Sequence, residues 1–155
     1  VTEHSVAHET FVIEKTYDAT VAQTFRAWAE PALKARWFAG SLDALGVSYE
    51  LDFRVGGREK NRGGPPGGPL YTFEAEFRDI VPEHRIVYTN VMHADDRLIS
   101  VSVTTVEFRD QGARTVLLLT ELGTFLDGLD NVAQRENGTT SLLASLGELL
   151  KDVGT

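Results

Sequence analysis

A chain of 155 residues, 42% hydrophobic and 25% charged, is long enough to bury a sizeable core in one domain. Its 15 basic and 23 acidic residues leave a formal charge of −8, which opposes a nucleic-acid footprint or docking on an anionic membrane. The absence of cysteine excludes a disulfide framework, a thiolate nucleophile and a zinc–thiolate site.

Residues 1–9 read as a loose tail ahead of a single domain, with no apolar core or cleavage pattern of a signal peptide. No apolar run approaches the ~18 residues that span a bilayer. The simplest expectation is therefore a cytoplasmic protein.

Phe11 to Tyr17 is rich in β-branched and aromatic residues and predicts the first strand. Thr20 and Gln23 have the spacing of a capping box, so a short helix should follow and bury Val21, Phe25 and Trp28. Pro31 ends it and suits the first turn of a second short helix, through Leu33 to Trp37. Between Ser41 and Phe53, the residues Val47, Tyr49, Leu51 and Phe53 share one face of an expected strand. Gly56 and Gly57 mark a turn that needs positive φ. The run Gly63 to Pro69 has a composition that cannot pack and predicts a mobile loop.

From Leu70 to Asp79, Tyr71, Phe73, Ala75 and Phe77 face one way and polar residues the other. Arg85 to Met92 and Leu98 to Phe108 follow as strands joined at Asp95-Asp96. In the second of these, Val101 and Val103 lie on opposite parity to Val106 and Phe108. A β-bulge near Thr104-Thr105 would explain that change, as would a strand apolar on both faces. Thr115 to Leu122 is nearly all apolar and reads as central. Last comes a long helix, Asn131 to Asp152, with one apolar stripe through Leu142, Leu143, Leu146, Leu149 and Leu150. A sheet and one long helix must cover each other, which makes the fold class α+β.

The order of these motifs resembles the START-like (SRPBCC) superfamily. In particular it is similar to the family named for activators of the heat-shock-protein ATPase, in its bacterial stand-alone form. The residues that carry the resemblance are Tyr17-Asp18-Ala19-Thr20, Phe25-Arg26-Ala27-Trp28, Arg36-Trp37-Phe38 and Phe53-Arg54-Val55-Gly56-Gly57. Further on it is carried by Ile80 to Tyr88, Thr115 to Thr120, Phe125 to Gly128 and Arg135-Glu136-Asn137-Gly138. The resemblance implies a helix-grip fold: a curved antiparallel sheet of six or seven strands wraps the long C-terminal helix, with two short helices after the first strand. It also implies a cavity that in many relatives holds an apolar small molecule. This chain departs from the family at Thr139, where relatives often have Trp, and in the polar run Arg58 to Arg62, which suggests a solvated hairpin. The separate N-terminal domain of the eukaryotic co-chaperone has no counterpart here, so chaperone activation does not follow.

Core packing accounts for any single aromatic side chain, yet a sheet curved around one helix leaves interior space for a pocket. The expected ligand-binding residues are Trp37, Phe53, Tyr71, Phe73, Phe77, Tyr88, Leu142, Leu143 and Leu146. The two tyrosines stand out because a buried phenol needs a partner. The histidines at 4, 8, 84 and 93 show no metal spacing. Asp127, Arg135 and Glu136 are read as structural, or alternatively as a latch in which Arg135 binds a carboxylate. No catalytic triad, paired-carboxylate pattern or nucleotide fingerprint is present. The expectation is a small binding protein for an apolar or aromatic molecule, with no cofactor, no metal, no nucleic-acid or membrane partner, and a homodimer left open. The alternatives are an enzyme of cyclase or hydrolase type in the same cavity, or a protein-interaction module.

Overall fold

Alternating side chains and antiparallel turns make most of this chain one curved open sheet, and its helices cover the inner face. The computed structural model describes residues 4–42 and 44–154. In chain order the elements are β1 (Val6–Tyr17), α1 (Val21–Ala29), α2 (Pro31–Phe38), β2 (Ser48–Leu51) and β3 (Arg58–Gly63). They continue with β4 (Tyr71–Val81), β5 (Arg85–Ala94), β6 (Arg97–Gln111), β7 (Arg114–Leu126) and α3 (Val132–Val153). The sheet order is β1-β7-β6-β5-β4-β3-β2, all antiparallel. The strands β1 and β2 are therefore opposite edges, and α1 and α2 carry the chain between them. This is the helix-grip α+β fold.

Both short helices form for local reasons. The Gln23 amide donates to Thr20 Oγ1 and the Thr20 amide to Gln23 Oε1, at 3.2 and 2.9 Å, closing a capping box. Pro31 opens α2, where its missing N–H costs nothing. The N-cap of α3 is Asn131, whose side chain accepts from the Gln134 amide at 2.9 Å. The expected stripe is buried at Leu143, Leu146, Leu149 and Leu150, packed against β1, α1 and α2. One bond fixes the crossing: the buried Tyr17 hydroxyl donates to the Leu143 carbonyl at 2.7 Å.

Several expectations need correction. β1 begins at Val6, because residues 6–9 pair with residues 123–126 of β7 and so are no loose tail; residues 1–3 of that expected tail, and Asp43 of the expected second strand, lie outside the described residues. β2 is only Ser48–Leu51, and Phe53 falls in the turn beyond it. Gly56 has the positive φ, 84°, but Gly57 does not. Instead, a Cβ on Gly57 would stand 2.1 Å from the Asp52 carbonyl oxygen, so close backbone approach demands glycine there. β7 lies second from the edge, not at the centre.

The pairing of β6 with β7 runs unbroken from Ser100 to Gln111, so there is no bulge at Thr104-Thr105. The inward side of β6 is Ser100, Ser102, Thr104, Val106 and Phe108, all buried, while Val101 and Val103 face out and are part-exposed. The register irregularity sits earlier on β6, at Ile99, which has no partner on β5 between the pairs Met92–Ser100 and His93–Leu98. Hydrophobicity changed parity because the inner wall is polar at one end of the sheet, not because the strand slipped.

Candidate ligand-binding cavity

The packing of α3 on β1 leaves its first half standing off β4 to β7, and the gap is a cavity of ≈ 450 Å³. Six of the nine expected residues line it: Trp37, Tyr71, Phe73, Tyr88, Leu142 and Leu143. Tyr71 is 40% exposed and sits on the rim, with the exposed Gln134 and Gly138 of α3 also lining this side. Of the other three, Phe77 and Leu146 are core residues behind the wall, and Phe53 is half-buried and packs against that core. Phe77 is 1% exposed and packs edge-on to Tyr88 and Phe53, with centroids 6.0 and 5.0 Å apart. Phe53 also meets Phe25 at 5.7 Å, and Leu146 is wholly buried one turn beyond the cavity. Parity placed Phe77 on the correct face, but it could not tell wall from core.

The expectations for the polar wall were less complete. At one end, the guanidinium of Arg135 donates to Glu121 Oε2 at 2.6 Å, to Asp130 Oδ2 at 2.8 Å and to Ser100 Oγ. Ser102 Oγ donates to the same Glu121 oxygen at 2.8 Å. These groups are buried or nearly so, and Glu121, Asp130 and Arg135 line the cavity. Arg135 therefore does bind carboxylates, but they belong to its own chain. The polar inner face of β6 now has its reason: Ser100 and Ser102 complete the bonds of this cluster, and Thr104 donates to Asn90 Oδ1 at 2.9 Å.

A second buried ion pair lies behind the opposite wall. Lys34 Nζ, on α2, donates to Glu59 Oε2 and Oε1 at 2.9 and 3.2 Å, and both side chains are 1% exposed. The ammonium lies 4.2, 4.7 and 5.3 Å from the ring centroids of Phe38, Trp28 and Trp37, a three-ring cation–π cage. The Tyr49 hydroxyl makes a short hydrogen bond to Glu59 Oε2. Burial lowers the Lys34 pKa, and the Glu59 carboxylate opposes that shift. The run Arg58 to Arg62 is strand β3, an arm of the β2–β3 hairpin with Arg58, Lys60 and Arg62 exposed as expected, but Glu59 turns inward to this partner.

Only two side-chain polar atoms wholly shut off from solvent lack a partner among the described residues, Trp28 Nε1 and Asn61 Oδ1. Both residues line the cavity. Native interiors pair nearly all such atoms, so a donor and an acceptor left open in one wall are notable. Asp127, by contrast, is structural: its carboxylate accepts the Ser5 amide at 2.9 Å, and its φ is 56° at the turn into α3. Among the described residues no group of three or more His, Asp or Glu could hold a metal ion.

Burial drives the phenols of Tyr17, Tyr49 and Tyr88 above the usual tyrosine pKa, with Glu59 reinforcing the last two and Glu121 also raising Tyr88. A phenol whose pKa is raised by folding contributes stability that is intact below the unfolded value of ~10 and declines as pH rises beyond it. In an alkaline absorbance titration these three tyrosines should ionise only as the protein unfolds. Ionisation of Tyr88, the one of the three that lines the cavity, at pH ~10 with the fold intact would show that the wall is hydrated.

Thr139, where the family resemblance leads one to expect Trp, lines the cavity beside Gly138. A Cβ built on Gly138 meets nothing within 4 Å. Small residues on this face of α3 thus leave the cavity open.

Comparison with known proteins agrees with this architecture. Residues 18–151 match the model of the family described as activator of Hsp90 ATPase homolog 1-like protein. A protein of Rhizobium leguminosarum superposes with a TM-score of 0.91 at 38% identity, covering 97% of this chain and 99% of that one. The Mll3558 protein of Rhizobium loti gives 0.85 at 42% identity, over 94% and 99%. CalU16 from Micromonospora echinospora, at 18% identity, shares the fold with a TM-score of 0.63 over 97% and 86%. No match was found among curated proteins. No helix among the described residues is long and apolar enough to cross a membrane. With a family match over most of its length, the chain belongs to the activator of Hsp90 ATPase homolog 1-like family.

Proposed function

We propose that this protein binds an apolar or aromatic small molecule between α3 and the sheet. The observation that supports this most directly is the cavity itself. At ≈ 450 Å³ it falls within the ~300–1,000 Å³ of small-molecule sites, and aromatic and aliphatic side chains wall it around a few polar groups. A bicyclic aromatic burying about 250 Å² would gain roughly 6 kcal/mol at ~25 cal/mol per Å², before association costs, which suits micromolar affinity at best.

Trp28 and Trp37 are the only tryptophans and both line the cavity, so intrinsic fluorescence reports occupancy directly. Titration with a panel of apolar dyes should quench or shift that emission. Thr139→Trp should fill the open face and weaken the tightest dye at least tenfold, with the circular dichroism spectrum unchanged. If no dye binds below millimolar, the protein is not a carrier.

An enzyme acting in the same space is the second reading, favoured by one observation. The cavity holds buried ionisable groups, Glu121, Asp130 and Arg135, and such groups can move protons in a dry site. A mass change in a recovered ligand after incubation would move this reading to first place.

A further inference from the structure

The charges at one end of the cavity do not balance. Glu121 and Asp130 share one guanidinium, Arg135, which leaves a formal excess of one negative charge. The guanidinium already donates through Nη1 to Glu121 and through Nη2 to Asp130 and Ser100. Among the described residues, both hydrogen bonds to Glu121 end on Oε2, so Oε1 has no donor. The cation at the opposite wall brings no relief, because Lys34 is matched by Glu59 and enclosed by three rings. Between these ends the wall is apolar or neutral, through Phe73, Ile99, Leu119 and Leu143.

From this arrangement we infer that the cavity selects an uncharged or cationic aromatic molecule that donates a hydrogen bond to Glu121, and rejects aromatic carboxylates. A phenol, alcohol or ammonium on the ligand supplies the donor that Glu121 Oε1 lacks. A hydrogen bond to an ionised acceptor in a low-dielectric wall is among the stronger kinds. A carboxylate placed there meets two like charges and a guanidinium already occupied, with little water to screen them. The inference rests on the cavity being a ligand site, as proposed above, and it specifies the ligand's polar end.

The test is a matched series at pH 7: naphthalene, 2-naphthol, 2-(aminomethyl)naphthalene and 2-naphthoate, followed by tryptophan fluorescence. The expected order puts 2-naphthol and the amine about tenfold tighter than naphthalene, and 2-naphthoate at least tenfold weaker than 2-naphthol. Asp130→Asn removes one charge near the rim, and Glu121→Gln removes the acceptor carboxylate. Each should narrow the gap between 2-naphthol and 2-naphthoate, and Asp130→Asn serves alone if Glu121→Gln does not fold. Binding of naphthalene together with equal or tighter binding of 2-naphthoate overturns the selectivity and leaves the carrier reading intact. So does equal affinity for naphthalene and 2-naphthol, or an unchanged gap in both folded variants. Failure of every member to bind removes the carrier reading and this inference together.

Discussion

Glu59→Ala is expected to cost about 3–5 kcal/mol of stability, because it leaves the Lys34 ammonium buried without its counter-ion. Lys34→Met should cost a similar amount by stranding the carboxylate, although the Tyr49 hydroxyl still bonds to it. The double variant Lys34→Met/Glu59→Leu should behave differently. Replacing a buried pair by apolar side chains of similar volume is often neutral, or stabilising by about 1–4 kcal/mol. Urea titration at pH 7 reads all three. Single losses below about 1 kcal/mol would mean that water reaches the pair.

The same three proteins connect the pair to binding. The Lys34 ammonium is held against Phe38, Trp28 and Trp37, and those rings are cavity wall. Loss of the cation removes what packs behind them. Dye affinity should therefore fall in Lys34→Met and Glu59→Ala even where urea midpoints allow full folding, and return in the double variant if packing alone sets the wall.

Much of the fold could be read from the sequence because its signals were redundant. Alternation from Tyr71 to Phe77, the Thr20–Gln23 spacing and the leucine stripe of α3 each matched the structure. The cavity was legible only in its apolar half, through Trp37, Tyr71, Phe73, Tyr88, Leu142 and Leu143. Its polar half went unread because hydrophobic periodicity assigns polar residues to solvent, and here they face inward. Ser100, Ser102 and Thr104 hid the inward parity of β6, and the change of phase was put down to a bulge at Thr104-Thr105 or to a strand apolar on both faces. Glu59 was lost in a polar run for the same reason.

Two signals in the chain could have found these residues. Glu121 is a charge on the same parity as Leu117 and Leu119 in an otherwise apolar strand. Lys34 lies three residues before Trp37, on the buried face of α2. A charge at a core position asks for a partner, and Arg135 and Glu59 are the answers. The mutual distances of these groups were not legible, since they bring together residues 14 and 25 apart in sequence across different elements.

Leu146→Ala is expected to lower stability by about 2–5 kcal/mol, the range for truncating a fully buried leucine. Leu146 has no exposed surface, and its neighbours on the stripe, Leu143 and Leu149, are nearly as buried. Here α3 is held tightly: the Tyr17 hydroxyl bonds to the Leu143 carbonyl, and the Tyr17 ring would lie 3.4 Å from a Cβ on Gly147. A helix fixed so closely to β1 cannot slide in to fill the void, so the cavity term of about 24 cal/mol per Å³ should be felt nearly in full. The void would open one turn beyond Leu142 and Leu143, which already line the ligand cavity, so truncation should also extend the site. Two measurements follow on the same variant: a urea midpoint lowered with the slope unchanged, and a preference shifted toward longer apolar ligands. A loss under about 1 kcal/mol would show that α3 closes the gap. Lower stability with an unchanged ligand preference would show that Leu143 still separates the core from the cavity.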